Sequence, residues 1–178
     1  AVQGSLTVTL WGAEADTPEN HELVRAAERI AGRVLFAGVP TGVAYVNFDG
    51  LALGSGGGQA QASNGQFIQV NFGGDARAVQ GAASGLYAAP FLSGNNGASF
   101  GAGNGADTTT YLTSGSAGAY AGARVEMVLP ELAHYFGVLW GSVDAYNFLD
   151  FYGANGLIGT IDGADVAAMW TMFCERGR

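Results

Sequence analysis

The chain has 178 residues, of which 48% are hydrophobic and 12% are charged, and its formal net charge is −8. This length suits one domain, and high apolar content with little charge excludes a disordered chain. The acidic balance excludes nucleic acid and anionic lipid as partners, and no apolar run reaches the roughly 18 residues that membrane insertion by a helix requires.

An alternating segment lies near the start of the chain. Residues 4–11 place Leu6, Val8 and Leu10 on one side and polar residues on the other, which predicts a β-strand. Residues 17–32 instead carry apolar residues at helical spacing behind a capping Thr-Pro pair, so we expect a short exposed helix there.

The rest of the chain has the pattern of short strands and turns. The predicted strands are residues 34–38, 43–49, 66–72, 77–80, 85–89, 109–113, 123–129, 134–140, 146–152 and 156–161. Asn155-Gly156 between two apolar runs predicts a hairpin with a type I′ turn. The glycine-rich stretches 54–65 and 93–107 have the composition of loops, and residues 163–173 are predicted to form a short helix.

These elements predict an all-β fold in one domain that spans residues 1–178. We expect a jelly-roll-like antiparallel β-sandwich with a short N-terminal helix and a short C-terminal helical turn. Residues 1–33 form the N-terminal strand and helix extension, residues 34–162 form the sandwich body, and residues 163–178 form the helical tail.

The most specific segment is rich in aromatic residues and runs from Tyr135 to Tyr152. It predicts a strand, a turn and a second strand, in which Asp144 and Asn147 hydrogen-bond the turn backbone and Trp140 packs across the strands on Tyr146. The residues that define it are Trp140, Gly141, Ser142, Asp144, Tyr146 and Asn147. The strand–turn–strand pattern indicates a structural scaffold.

This segment resembles the YFGxxWGSxDxYN hallmark of exosortase-dependent, PEP-CTERM-type bacterial surface proteins. The similarity covers roughly residues 43–168. It implies export and a β-rich extracellular domain, and it implies no catalytic residues. The expected function is therefore that of a secreted structural protein of the bacterial cell surface or extracellular matrix.

The resemblance implies closing strands after residue 168, and we expect this chain to have the strand 4–11 in their place. A sandwich that lacks a strand has an open apolar groove, which another strand can fill. If the strand comes from a neighbouring subunit, Leu6, Val8 and Leu10 are self-assembly residues and the product is a homopolymeric fibre. The alternative is that strand 4–11 enters its own sandwich and the protein is a monomer.

No pattern for catalysis is present, so we expect no enzyme activity, no catalytic residue and no cofactor. His21 and His134 suit structural roles, and no G-x-S-x-G nucleophile motif occurs. Calcium is a minor alternative, because extracellular calcium sites use carboxylates and loop oxygens. Its candidate ligands are Asp107, Asp144, Asn147 and Asp162.

The alternative function is carbohydrate binding, with an extracellular polysaccharide as the partner. Secreted sandwiches present flat aromatic side chains to sugars, and such side chains are frequent here. The available residues are Trp11, Tyr87, Tyr111, Tyr120, Trp140, Tyr146 and Tyr152. Exposure of these side chains on one face would favour this alternative, and their burial would favour a structural role.

Overall fold

The computed structural model describes residues 7–11, 44–84, 86–92, 105–114, 122–131, 133, 136–140 and 145–168. The strands of these residues are β1 (Thr7–Trp11), β2 (Gly58–Gln61), β3 (Phe67–Gly73), β4 (Arg77–Val79), β5 (Phe91–Leu92), β6 (Gly105–Ala106), β7 (Tyr111–Thr113), β8 (Arg124–Val128), β9 (Phe148–Gly153) and β10 (Gly156–Asp162). No helix within these ranges is long and apolar enough to cross a membrane.

Six of the strands form one sheet with the order β10-β9-β1-β8-β3-β2. Every neighbouring pair in this sheet is antiparallel. Two smaller antiparallel sheets pair β4 with β7 and β5 with β6. The predicted β-rich antiparallel fold is therefore confirmed.

The core lies against one face of the six-stranded sheet. Val70 of β3 and Val125 of β8 are fully buried at its centre. Ala78 of β4 belongs to the same cluster, and Leu112 of β7 packs against it, so the small β4–β7 sheet covers this face. Small residues at such positions allow two backbone layers to approach closely.

Several sequence predictions are confirmed with small changes at the boundaries. Strands β3, β4, β7, β8, β9 and β10 fall within or beside predicted strands. The β9–β10 hairpin is present, but its turn residues are 154 and 155, one position earlier than expected. The predicted tail helix occupies residues 163–168, where Asp162 Oδ1 accepts from the Asp165 amide at 2.8 Å and Asp165 Oδ2 accepts from the Asp162 amide at 3.1 Å. This reciprocal pair is a helix-capping arrangement.

Three predicted strands are wrong within the described residues. In 43–49, Val46 makes an isolated bridge to Ala62, after which the chain turns because the Leu51 amide donates to the Phe48 carbonyl at 2.9 Å. In 85–89, a tight turn brings Tyr87 back to Ala83. In the predicted strand 134–140, residues 136–140 have no regular secondary structure and pair with none of the described strands.

Two strands lie in stretches that were expected to be loops. Strand β2 falls inside 54–65, where Ala60 is buried in the core, and β6 falls inside 93–107. Alanine and glycine give little hydrophobic contrast, which explains why alternation did not indicate these strands. The predicted helix 17–32 and strand 34–38 lie outside the described residues.

Candidate functional site

The central position of β1 in the six-stranded sheet defines the candidate site. We call the gap that β1 fills, between Arg124–Val128 of β8 and Phe148–Gly153 of β9, the β1 slot. Strands β8 and β9 are paired with β1 and not with each other. Without β1 the sheet would separate into the β9–β10 hairpin and the β8-β3-β2 unit, so this strand joins two parts of the fold.

The slot is apolar on the core side of the sheet. Leu10 is opposite Val125 of β8 and Leu149 of β9, and both of these are buried. Val8 is opposite Met127, which is also buried. Directly opposite residues share a sheet face, so Val8 and Leu10 belong to the core face. Leu6, the third predicted self-assembly residue, lies outside the described residues.

A row of polar residues crosses the other face of the sheet, which we call the outer face. Thr9 of β1 is opposite Glu126 of β8 and Asp150 of β9. Asn71 Nδ2 on β3 donates to Glu126 Oε2 at 2.8 Å, and Thr160 Oγ1 on β10 donates to Asp150 Oδ1 at 2.5 Å. The two carboxylates that flank the middle of the slot are thus each held by the strand beyond them.

The described residues of the aromatic-rich segment 135–152 lie partly against the core and partly nearer the surface. Trp140 and Phe136 are partly buried and pack against the core, and the Phe136 ring meets the Phe151 ring edge-on at 5.7 Å. Tyr146 is half-buried, and the Asn147 carbonyl accepts from the Gly163 amide at 3.3 Å. The other hallmark residues, Gly141, Ser142 and Asp144, lie outside the described residues.

Trp140→Ala is expected to lower the free energy of unfolding by about 2–3 kcal/mol, less than full burial would cost, because the indole is only partly buried. Thermal or denaturant unfolding measures this loss. The matched control is Leu157→Ala, since Leu157 is 57% exposed and its removal should change stability by less than about 0.5 kcal/mol. A Trp140→Ala protein with the parent's stability and lost retention on polysaccharide would instead favour a sugar platform.

The described calcium candidates are engaged by protein groups. Asp107 Oδ1 accepts from the Thr109 amide at 2.8 Å and from its hydroxyl at 2.6 Å. Asp162 caps the helix, whereas Asp107 lies in the β6–β7 connection. Within the described part of the chain, no group of three or more His, Cys, Asp or Glu residues is arranged to hold a metal ion.

Tyr111 is a buried aromatic residue with a structural role. Its hydroxyl donates to the Gly81 carbonyl at 2.5 Å, and its ring meets the Tyr87 ring edge-on at 6.4 Å. Burial, with smaller contributions from Tyr87 and Asp107, raises the pKa of Tyr111 to about 12. The hydroxyl therefore stays protonated and keeps its hydrogen bond at every physiological pH.

Sequence reasoning missed the two acids that flank the slot. The signal was present, because Val125-Glu126-Met127 and Leu149-Asp150-Phe151 each place one acid between two apolar residues. That pattern predicts on which face of the sheet each acid lies, but it does not predict which strand pairs beside it. Comparison of the chain with protein-family models, curated proteins and solved structures finds no match.

Proposed function

We propose that this chain is an extracellular structural protein of a bacterial surface or matrix that assembles into fibres by β-strand exchange. In this proposal the body is a jelly-roll-like β-sandwich, and β1 of one copy fills the β1 slot of the next. The observation that carries the proposal is the position of β1, which pairs on both sides between two strands that do not otherwise meet.

Exchange between copies uses the same contacts that β1 makes within one chain. Residues 12–43 join β1 to the next described segment, and a chain of that length spans on the order of 70 Å with the predicted helix 17–32 formed and the remainder extended. Covalent geometry therefore allows β1 to reach a neighbouring slot. Because each copy both donates and accepts a strand, the contact is head-to-tail and continues as a filament unless a ring closes.

Composition supports close contact between copies. The chain has no lysine, and only 12% of its residues are charged. Lysine is depleted at protein interfaces because ordering its long side chain costs conformational entropy. The resemblance of the Tyr135–Tyr152 segment to exported surface proteins supports an extracellular location. Lysine substitutions that permit assembly at every tested face would count against this packing argument.

Peptide capping tests the proposal. A synthetic peptide of residues 1–11 added in excess to assembling full-length protein should occupy free slots and shorten the fibres seen by electron microscopy. The same peptide with Leu10→Asp is the control and should leave fibre length unchanged, since it carries a charge at a core-face position. Full-length protein that sediments as a compact monomer at high concentration would reject the proposal.

Carbohydrate binding by the same domain is the alternative proposal. Among the predicted aromatic residues, Tyr111 is buried, and Tyr87, Trp140, Tyr146 and Tyr152 are at least partly buried. Tyr120 and the side chain of Trp11 lie outside the part of the chain that the structure describes. Partial burial leaves less flat surface for a sugar ring, so these residues support the structural proposal better. Retention of the purified protein on immobilised polysaccharide, without any high-mass species, would reverse this preference.

A further inference from the structure

The middle of the β1 slot is acidic on both sides. Like charges directly opposite each other on neighbouring strands are destabilising. A strand with an acid at the position of Thr9 would have Glu126 opposite on one side and Asp150 on the other. The neighbouring outer-face position is different, because Thr7 is opposite Val128 and Tyr152, which are uncharged.

The two strands that an empty slot leaves unpaired on one side, β8 and β9, carry an acid at this middle position. An empty slot opens one edge of β8 and one edge of β9, in addition to the outer edges that β2 and β10 have in the complete sheet. Both strands that border the slot share the apolar–polar–apolar pattern of Val8-Thr9-Leu10. The central residues of these two strands are Glu126 and Asp150. If either strand entered another copy's slot with its apolar residues at the positions of Val8 and Leu10, its acid would lie at the position of Thr9, between two acids.

We propose that Glu126 and Asp150 act as a charge filter that admits β1 to the slot and rejects β8 and β9 of other copies. The filter rests on the proposed function in that the admitted strand comes from a second copy of this chain. A strand with a neutral residue at the central position can pair in the slot, whereas a strand with an acid at that position is repelled. Rejection of wrong partners by like charges is a general route to specificity.

A nearby basic residue, Arg124, is paired with a different position of β1. Arg124 lies on the outer face of β8, two residues before Glu126, and is opposite Trp11 rather than Thr9. Its side chain lies beside Gly73 of β3, where a Cβ built on that glycine would be 3.0 Å from Arg124 Cγ. Strand β3 is on the side of β8 away from β1, so the Cγ and Nε atoms of Arg124 lie toward β3.

Full-length variants test the filter by thermal unfolding. Thr9→Asp should lower Tm by about 2–4 °C more than the matched control Thr7→Asp, which adds the same charge on the same face beside uncharged residues. This difference should vanish when Glu126→Gln and Asp150→Asn are both present. The difference in Tm between positions 9 and 7 should change sign for arginine. Thr9→Arg should have a higher Tm than Thr7→Arg, because a cation at position 9 lies between two carboxylates.

Equal losses for Thr9→Asp and Thr7→Asp, or an extra loss that persists in the neutralised background, would overturn the filter. A second experiment, in which mass-tagged and untagged copies are mixed, tests strand exchange independently of the charge filter. If tagged copies co-assemble while both aspartate variants behave alike, exchange stands and the filter fails. If the Thr9 effects appear while copies never mix, the two acids disfavour an acid in β1 within one chain, and both exchange and the filter against other copies fail.

Discussion

Leu10→Asp is expected to lower the free energy of unfolding by about 4 kcal/mol, a large part of the roughly 5–15 kcal/mol that holds a domain folded. The register places Leu10 between Val125 and Leu149, which are 0% and 4% exposed. A carboxylate at this position would lose its hydration among apolar side chains without a cationic partner opposite it. The fold would then open at the slot.

Denaturant unfolding measures this loss, and Leu10→Val is the matched control. Valine keeps the position apolar and suits a strand, so the control should lose less than about 1.5 kcal/mol. If exchange holds, Leu10→Asp should also abolish fibres, and the Leu10→Val protein should still form them. Leu10→Asp protein with the parent's midpoint would contradict the pairing of β1 between β8 and β9.

Gly57→Ala is expected to cost about 3 kcal/mol, the second-largest single effect. Gly57 has a φ of +68°, and an added Cβ would overlap the carbonyl oxygen of Val70 in the adjacent β3. The loss combines the left-handed backbone, at about 1–2 kcal/mol, with a clash against a backbone atom that cannot move freely.

Gly65→Ala is the matched control for this clash. Gly65 also has a positive φ, +84°, but no atom lies within 4 Å of an added Cβ. It should therefore show the backbone cost alone, about 1–2 kcal/mol. Equal losses in the two variants, measured by denaturant unfolding, would mean that Gly57, the residue before β2, does not approach Val70 of β3 as closely as the structure has it.

The sequence predicts strands well where apolar and polar residues contrast. Strand β8, with buried Val125 and Met127 around Glu126, and the β9–β10 hairpin are examples. Strand β2 was missed because its core residue, Ala60, is small and its neighbours are glycine and glutamine. At residues 136–140 a strand is predicted and none is present: Trp140 packs on the core, but this segment pairs with none of the strands that the structure describes.

The candidate site was predictable only in part, for a related physical reason. A period of two residues separates Val8 and Leu10 from Thr9, so the faces of β1 follow from the sequence. Which strands lie beside β1 depends on contacts between residues far apart in the chain. The flanking acids Glu126 and Asp150 become visible as a pair only when β1 lies between them.

Disulfide trapping between separate copies tests strand exchange most directly. One copy carries Thr9→Cys and a mass tag, the other carries Glu126→Cys, and both carry Cys174→Ser so that no native thiol competes. Thr9 and Glu126 are directly opposite in the β1–β8 ladder, and opposite strand positions fall within disulfide range. Gln59→Cys on the edge strand β2 replaces Glu126→Cys in the control.

The two copies are mixed before assembly, oxidised and separated by mass under non-reducing conditions. Strand exchange predicts a mixed dimer that joins the tagged and untagged chains, with little of that product in the Gln59→Cys control. The contradicting result is no mixed dimer from the separate copies, together with a cross-linked monomer when Thr9→Cys and Glu126→Cys are placed in one chain.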